Sequence, residues 1–281
     1  MIAVGFEKYG SQEELKRDAI KHLYDVYVQI SRDADADPNV KVEAAEFFKR
    51  MEDGDESALS NWREWREMSI KKYIEAYDQL NISFDRYTGE SEVGKEWQNK
   101  ALEELDKLGL ISDVKGAKLV DLEKWKMGKA VLRKAGDVTS ILIEPIHESH
   151  CIIIKDGTSI YLTRDIAGAI ERYERYKFDK MIYVVASQQD LHLSQFFKIL
   201  DLMGFPWANR LEHVNYGLVL GMSTRKGTAV FLDQIIKEAS SVMHEQMKRN
   251  QEKYNTIEDP EMVSQEVGIT GIKIQDMAAK R

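Results

Sequence analysis

Three polar clusters, each following a short apolar and β-branched run, constrain the fold more than anything else in this chain. They are Tyr161-Leu162-Thr163-Arg164-Asp165, Ser187-Gln188-Gln189-Asp190-Leu191-His192 and Gly221-Met222-Ser223-Thr224-Arg225-Lys226-Gly227. An open α/β sheet presents ligand-binding groups at the carboxyl ends of its strands. The spacing predicts a hairpin first: Ile152–Lys155, a turn at Asp156-Gly157, and Ser159–Leu162 as the returning strand. A helix from Asp165 to Tyr176 then leads to Met181–Ala186, whose unbroken apolar pattern predicts a strand buried on both faces. Helix Leu191–Met203 and strand Val214–Leu220 complete a strand–helix–strand–helix–strand order. That order predicts parallel βαβ units with right-handed crossovers.

The first ~125 residues carry helical periodicity instead. Ser11 with Glu14 forms a capping-box pattern, and Ile20, Leu23, Tyr24 and Tyr27 follow helical spacing. The polar stretch Asp33–Asn39, with Pro38, breaks the pattern before a helix bearing Phe47, Phe48 and Met51. A third helix runs from about Ser57 to Leu80, with Leu59, Trp62, Tyr73, Tyr77 and Leu80 on one side. Asn81–Asp85 alternates as a strand would, and a further helix stops at Gly109 in the C′ position. Leu119, Val120, Val131 and Leu132 mark short strands. Beyond the third cluster, Leu232, Ile235, Ile236, Val242, Met243 and Met247 line an amphipathic helix, and two short helices are expected around Pro260 and Gly268.

Charge and composition narrow the function. A chain of 281 residues holds one large or two ordinary domains, and 43% hydrophobic with 31% charged residues reads as globular. With 48 acidic and 40 basic residues, net −8, there is no global signature of nucleic-acid binding, so any RNA contact has to come from a local patch. No apolar run is long enough for a membrane span, and Met1–Phe6 has neither signal-peptide nor transit-peptide character. The single cysteine, Cys151, fits a reducing compartment. His22, His147, His150 and His244 lack metal-ligand spacing, which predicts no protein-bound metal. Neither a nucleophile-elbow glycine pattern nor a glycine-rich dinucleotide fingerprint is present.

Each polar cluster has a chemical reading and a plainer one. Met222 to Gly227 combines backbone donors, hydroxyls and cations suited to polyphosphate, where nucleotidyl transfer develops charge on the α-phosphate and the departing pyrophosphate. The same residues also suit a solvated strand-to-helix turn. Ser187–His192 could fix a small polar ligand at a helix N-terminus, or simply cap that helix through Ser187 or Asp190, with His192 half-buried. Tyr161 and Asp165, four apart at a strand-to-helix switch, could offer a carboxylate to a bidentate guanidinium with a phenol closing the wall. Alternatively, Asp165 pairs with Arg164 or caps the next helix. Trp62, Trp65, Tyr73 and Tyr77 read as helix-packing residues, not a base-stacking platform.

Taken together, the clusters resemble class I aminoacyl-tRNA synthetase catalytic sequence, specifically the arginyl-tRNA synthetases. Further matching stretches are Phe47–Asp55, Tyr87-Thr88-Gly89-Glu90-Ser91, Phe178–Val184, His213-Val214-Asn215-Tyr216-Gly217 and Ile274–Met277. The resemblance implies an α/β fold: the second half of a class I Rossmann-type catalytic core, with a large mainly helical insertion and a helical C-terminal segment. It divides the chain into 1–125 (insertion), 126–227 (distal half of the core) and 228–281 (stem-contact segment). It also implies ATP-dependent activation of L-arginine as arginyl-adenylate, with Mg2+ accompanying ATP, and transfer to tRNA(Arg), with no membrane partner. The expected location is cytoplasmic, with a mitochondrial one as the alternative. By position, Tyr161, Asp165 and Gln189 match the arginine pocket, with Asp165 as guanidinium partner and His192 supporting it. Leu218 and Val219 match the backbone beside the adenine, and Met222, Ser223, Thr224, Arg225 and Lys226 the loop over the ATP phosphates. Gly221 and Thr224 stand where the class pattern has lysines, which leaves Arg225 and Lys226 as the candidate catalytic cations.

Departures from the family pattern set further expectations. The chain begins after the family's His-Ile-Gly-His-like element and ends before its helical anticodon-binding domain, and about 135–153 has no counterpart, a length that surface loops tolerate. A catalytic-core fragment is therefore expected, inactive or very weak by itself, prone to aggregate at an open parallel edge, and able to dock a missing N-terminal half. The alternatives are a non-catalytic truncated paralogue that binds tRNA or a synthetase partner, and an incomplete gene model of the full enzyme.

Overall fold

The computed structural model describes residues 1–114, 117–133, 161–217, 222 and 227–278. Its helices begin with α1 (Ile2–Tyr9), α2 (Gln12–Arg17), α3 (Ala19–Ala36), α4 (Asn39–Glu52), α5 (Glu56–Gln79) and α6 (Lys95–Lys107). Strands β1 (Ile111–Val114), β2 (Ala117–Asp121) and β3 (Lys129–Arg133) precede α7 (Tyr161–Tyr176), β4 (Met181–Ala186), α8 (Asp190–Leu202) and β5 (Leu211–Tyr216). The chain continues through α9 (Leu232–Lys248), α10 (Gln251–Tyr254) and α11 (Pro260–Ala278). Two compact units result: Met1–Tyr87 with Val219–Arg281, and Thr88–Leu218.

In the first unit, half of the expected capping box is made. Ser11 Oγ accepts from the Glu14 N–H at 3.3 Å, which secures the start of α2. The Ser11 N–H donates instead to His22 Nε2 at 2.8 Å, while Glu14 pairs with Arg17. A tertiary bond to α3 has replaced the local reciprocal one, and it requires an unprotonated Nε2. Helix α3 feeds two small cores: Ile30 and Ala34 join Val4 and Val40, while Ala19 and Leu23 join Leu15 and Trp65. On α5 the buried positions are Ala58 and Trp65, and Tyr73, expected on the buried side, is exposed.

The expected strand at Asn81–Asp85 does not form. Asn81 takes a left-handed conformation, the Ile82 N–H closes onto the Tyr77 carbonyl at 3.0 Å, and Phe84 packs edge-on against Tyr77 and Tyr87. Its alternating side chains terminate a helix. The expected pair of short helices around Pro260 and Gly268 is also corrected: α11 runs unbroken through Gly268, with Pro260 at its first position. A Cβ at Gly268 would lie 2.9 Å from the backbone nitrogen of Ser240 on α9. The glycine serves close helix approach, not termination.

In the second unit, Gly109 ends α6 with φ +66°, as its C′ position predicts. Strands β1, β2 and β3 form an antiparallel sheet. Their apolar side chains join Leu105, Leu162, Ile166, Phe196, Ile199 and Leu200 in the main core. Each fully buried side chain of this size contributes roughly 1.5–3 kcal/mol.

Tyr161 and Leu162, expected to end a hairpin, form the first turn of α7. Leu162, Ile166, Ala169 and Ile170 are all buried, so helical periodicity overrides the short alternation before it. Buried Thr163 donates its hydroxyl to the Leu132 carbonyl at 2.6 Å, pinning that first turn to β3. The remainder of the expected hairpin, and the 135–153 stretch, lie outside the described residues.

β4 and β5 pair in parallel from Met181↔Leu211 to Ala186↔Tyr216, joined by α8. β5 begins at Leu211, earlier than the expected Val214, because pairing with all of β4 sets its register. β4 is not buried on both faces: Tyr183 and Val185 pack against the core, while Ile182 and Val184 are exposed.

Candidate functional site

The second unit gathers its polar groups on one stripe of α7. Tyr161, Asp165 and Arg172 recur at helical spacing, and the buried Leu162–Ile166–Ile170 stripe turns these side chains away from the core. Asp165, partly exposed, bonds through Oδ2 to His192 Nε2 of α8 at 2.6 Å. It lies inside α7 and so does not cap it, and its side-chain partner among the described residues is His192. Its other oxygen offers lone pairs enough to accept further N–H donors.

Arg164 directly precedes Asp165 on α7. Its guanidinium meets the Glu90 carboxylate at 3.1 Å and lies over the Tyr161 ring at 5.7 Å. Desolvation pushes the Glu90 carboxyl above the usual glutamate range even though half of its side chain is exposed, and the Arg164 charge opposes that shift. Tyr183 of β4 lies edge-on to Phe196 at 5.5 Å, and its buried hydroxyl has no hydrogen-bond partner among the described residues. Burial pushes the Tyr183 phenol up, and the nearby Arg172 guanidinium opposes that shift.

At the carboxyl ends of β4 and β5 a second polar group assembles. Gln189 is exposed at the entry to α8, and neither Ser187 nor Asp190 caps that helix through its side chain. Asp190 instead accepts from Asn215 Nδ2, at 3.1 and 3.2 Å to its two oxygens, and faces His213 Nδ1 at 3.7 Å. His213 Nε2 lies 3.0 Å from the Val185 carbonyl, an arrangement in which Nε2–H donates. The two strand ends are thus tied together by side chains.

In the first unit, the flanks of the third cluster are placed. Met222 is exposed, and Gly227 has φ +74°, with a Cβ there approaching Val28 at 3.3 Å. Gly227 therefore serves a left-handed turn that a side chain would strain. Just beyond it, the Ala229 N–H donates to the Tyr24 hydroxyl at 3.1 Å, and Tyr24 packs edge-on to Phe231. Leu218, Val219, Ser223, Thr224, Arg225 and Lys226 lie outside the described residues.

Of the expected site residues, the fold brings Asp165 and His192 into direct contact and puts Tyr161 one turn from Asp165 on the same face. Gln189 sits three residues before His192. Glu90, His213 and Asn215 were not singled out from the sequence, although each lies in a stretch that carries the family resemblance. Among the described residues no group of three potential metal ligands occurs, and no helix is long and apolar enough to cross a membrane.

The family model described as "tRNA synthetases class I (R), catalytic domain" matches residues 1–281. The chain is 51% identical over 290 residues to the "Arginine--tRNA ligase, cytoplasmic" of Saccharomyces cerevisiae, covering 100% of this chain and 44% of that protein. The "Arginine--tRNA ligase, mitochondrial" of the same yeast is 42% identical over 290 residues, with 100% and 42% covered. The chain thus spans less than half the length of these curated relatives. Among solved structures, the Plasmodium falciparum arginyl-tRNA synthetase aligns with TM-score 0.67 at 22% identity, covering 87% of this chain and 38% of that one. The Thermus thermophilus arginyl-tRNA synthetase aligns with TM-score 0.64 at 18% identity, covering 97% and 48%. These two likenesses support the fold.

Proposed function

The chain belongs to the class I (R) tRNA synthetase catalytic-domain family, and from that premise we propose that it carries the arginine-recognising part of an arginine–tRNA ligase. Its ligands in this reading are L-arginine, ATP with Mg2+, and tRNA(Arg). Asp165 takes the guanidinium, His192 holds the Asp165 carboxylate in place, and Tyr161 walls the pocket, with Gln189 adding an amide. A guanidinium presents a planar fork of donors that matches a carboxylate, and such charge-assisted bonds are the strong ones.

Leu218 and Val219 would lie beside the adenine. Met222, Ser223 and Thr224 would line the triphosphate, and Arg225 and Lys226 would supply the cations. Attack of the arginine carboxylate on the α-phosphate releases pyrophosphate, and cations aimed there favour the transition state over the ground state. Taken alone, the 281 residues are expected to recognise arginine with little turnover, because losing part of a set of catalytic groups that act as a unit removes most of what the whole set contributes.

The observation that carries this reading is the 2.6 Å contact between Asp165 and His192 on a partly exposed face, with Tyr161 one turn away. Calorimetric titration with L-arginine, L-citrulline and L-lysine tests it. A site built around guanidinium N–H groups should bind citrulline, similar in shape but uncharged, at least ~100-fold more weakly than arginine. Equal binding of the two, or no binding of arginine, contradicts it.

A further inference from the structure

His192 can hold the Asp165 carboxylate only if the start of α8 is itself held, and that start has no side-chain cap. The first buried residue of the helix is Leu193, just past His192. Helix ends carry unsatisfied backbone groups and fray, so what fixes the first turn has to come from outside it. Two side-chain tethers flank His192. Asp190, before it, accepts from Asn215 of β5, but the Asp190 side chain is 53% exposed, where water competes for the same bond. Gln195, after it, donates from Nε2 to the Met127 carbonyl at 2.6 Å in a partly buried setting. A carbonyl only accepts, so the amide nitrogen has to face it.

Met127 belongs to the turn between β2 and β3, and that turn is closed on itself. The Leu122 N–H donates to the Gly128 carbonyl at 2.8 Å, the Trp125 N–H donates to the Leu122 carbonyl at 2.9 Å, and Leu122 is fully buried. Lys126 takes a left-handed conformation, φ +60°, which a residue with a Cβ keeps only where its surroundings over-determine it. Helix α8 docks on this turn a second time, through the Lys198 ammonium 5.0 Å above the Trp125 ring. Residues three apart are neighbours on a helix surface. His192, Gln195 and Lys198 follow that spacing, the first meeting α7 and the other two meeting the turn.

Building on the reading of the site above, we propose that Gln195 is a positioning residue: docked on the Met127 carbonyl, it sets the rotation of the α8 start that keeps His192 Nε2 on the Asp165 carboxylate. Through it, the β2–β3 turn takes part in arginine recognition.

Gln195→Met in the 281-residue chain keeps the length of the side chain and removes the donor. Two readouts test the proposal: the titration of the His192 ring followed by NMR in the free chain, and L-arginine affinity by calorimetry. The His192 midpoint should move in the same direction as in Asp165→Asn, and by less. Arginine affinity should fall about fivefold, the scale of one hydrogen bond. In a His192→Asn background the same substitution should change affinity by less than about twofold, since both residues act through one contact. A His192 titration left unchanged by Gln195→Met overturns the proposal, whatever happens to the denaturation midpoint, because Gln195 then only stabilises the fold. An equal loss of affinity in the His192→Asn background overturns it too. Should methionine at this position prevent folding, Gln195→Ala, which suits a helix and lets water reach the carbonyl, gives the same comparison. If Asp165→Asn leaves arginine binding intact, the pocket assignment fails, while the His192 titration still decides whether Gln195 sets the contact.

Discussion

Within the Thr88–Leu218 unit, two sheets built from similar apolar residues are buried very differently. Val120 on β2 is 1% exposed, and Val184 on β4 is 66% exposed. The antiparallel sheet hands its apolar side chains to a core shared with α6 and α7, and a short hydroxyl–carbonyl bond from Thr163 ties it to α7. The parallel pair covers one face with α8, while Ile182 and Val184 remain open on the other. Of the polar groups proposed for the site, Gln189 and His192 follow the carboxyl end of β4, while Tyr161 and Asp165 lie on α7, whose first turn is tied to β3. On the proposed reading, enclosure serves stability and the open, carboxyl-terminal rim carries part of the ligand chemistry, as the general rule for α/β sheets has it.

Four substitutions probe that contrast. Phe196→Ala empties the space beneath the covered face of β4 and should cost about 3–5 kcal/mol, read as a fall in denaturation midpoint. Leu132→Ala in the enclosed sheet should cost about 2–4 kcal/mol on the same assay. A much smaller value would mean that the antiparallel sheet is as loosely covered as the parallel one. Thr163→Val keeps the shape but leaves the Leu132 carbonyl without its donor, and should cost about 1–2 kcal/mol. Val184→Thr on the open face should change stability by less than about 0.5 kcal/mol. It should also reduce concentration-dependent association measured by light scattering, because it breaks an exposed apolar patch. A large loss of stability at Val184 would show that this face is covered after all.

Much of this architecture was legible in the residues. The helices between Ser11 and Gly109, the parallel β4–α8–β5 unit and the helix after Gly227 follow from periodicity and turn chemistry. Beside Asn81–Asp85, whose alternation closes a helix instead of forming a strand, three features did not. The run Met181–Ala186 reads the same whether one face is covered or both, because side-chain identity records compatibility with burial and not the presence of a neighbour. Tyr161 and Leu162 fit both an alternating and a helical pattern, and only the burial of Ile166, Ala169 and Ile170 behind them decides. Gly268 carries the signal of a helix end but answers to the backbone of α9, a tertiary contact that no local pattern contains. At the site, Asp165 and His192 are 27 positions apart, and only the packing of α7 against α8 makes them partners. Glu90 lay within a matched stretch, yet nothing local in Thr88-Gly89-Glu90-Ser91 points to Arg164, 74 positions on.

The central claim is that the Asp165 carboxylate grips a guanidinium, and Asp165→Asn tests it most directly by keeping the shape and removing the charge. Titrated calorimetrically with L-arginine beside the wild-type chain, the variant should lose about 2–3 kcal/mol of binding free energy, roughly 30–150-fold in affinity. Binding of arginine by Asp165→Asn as tightly as by the wild type would contradict the account.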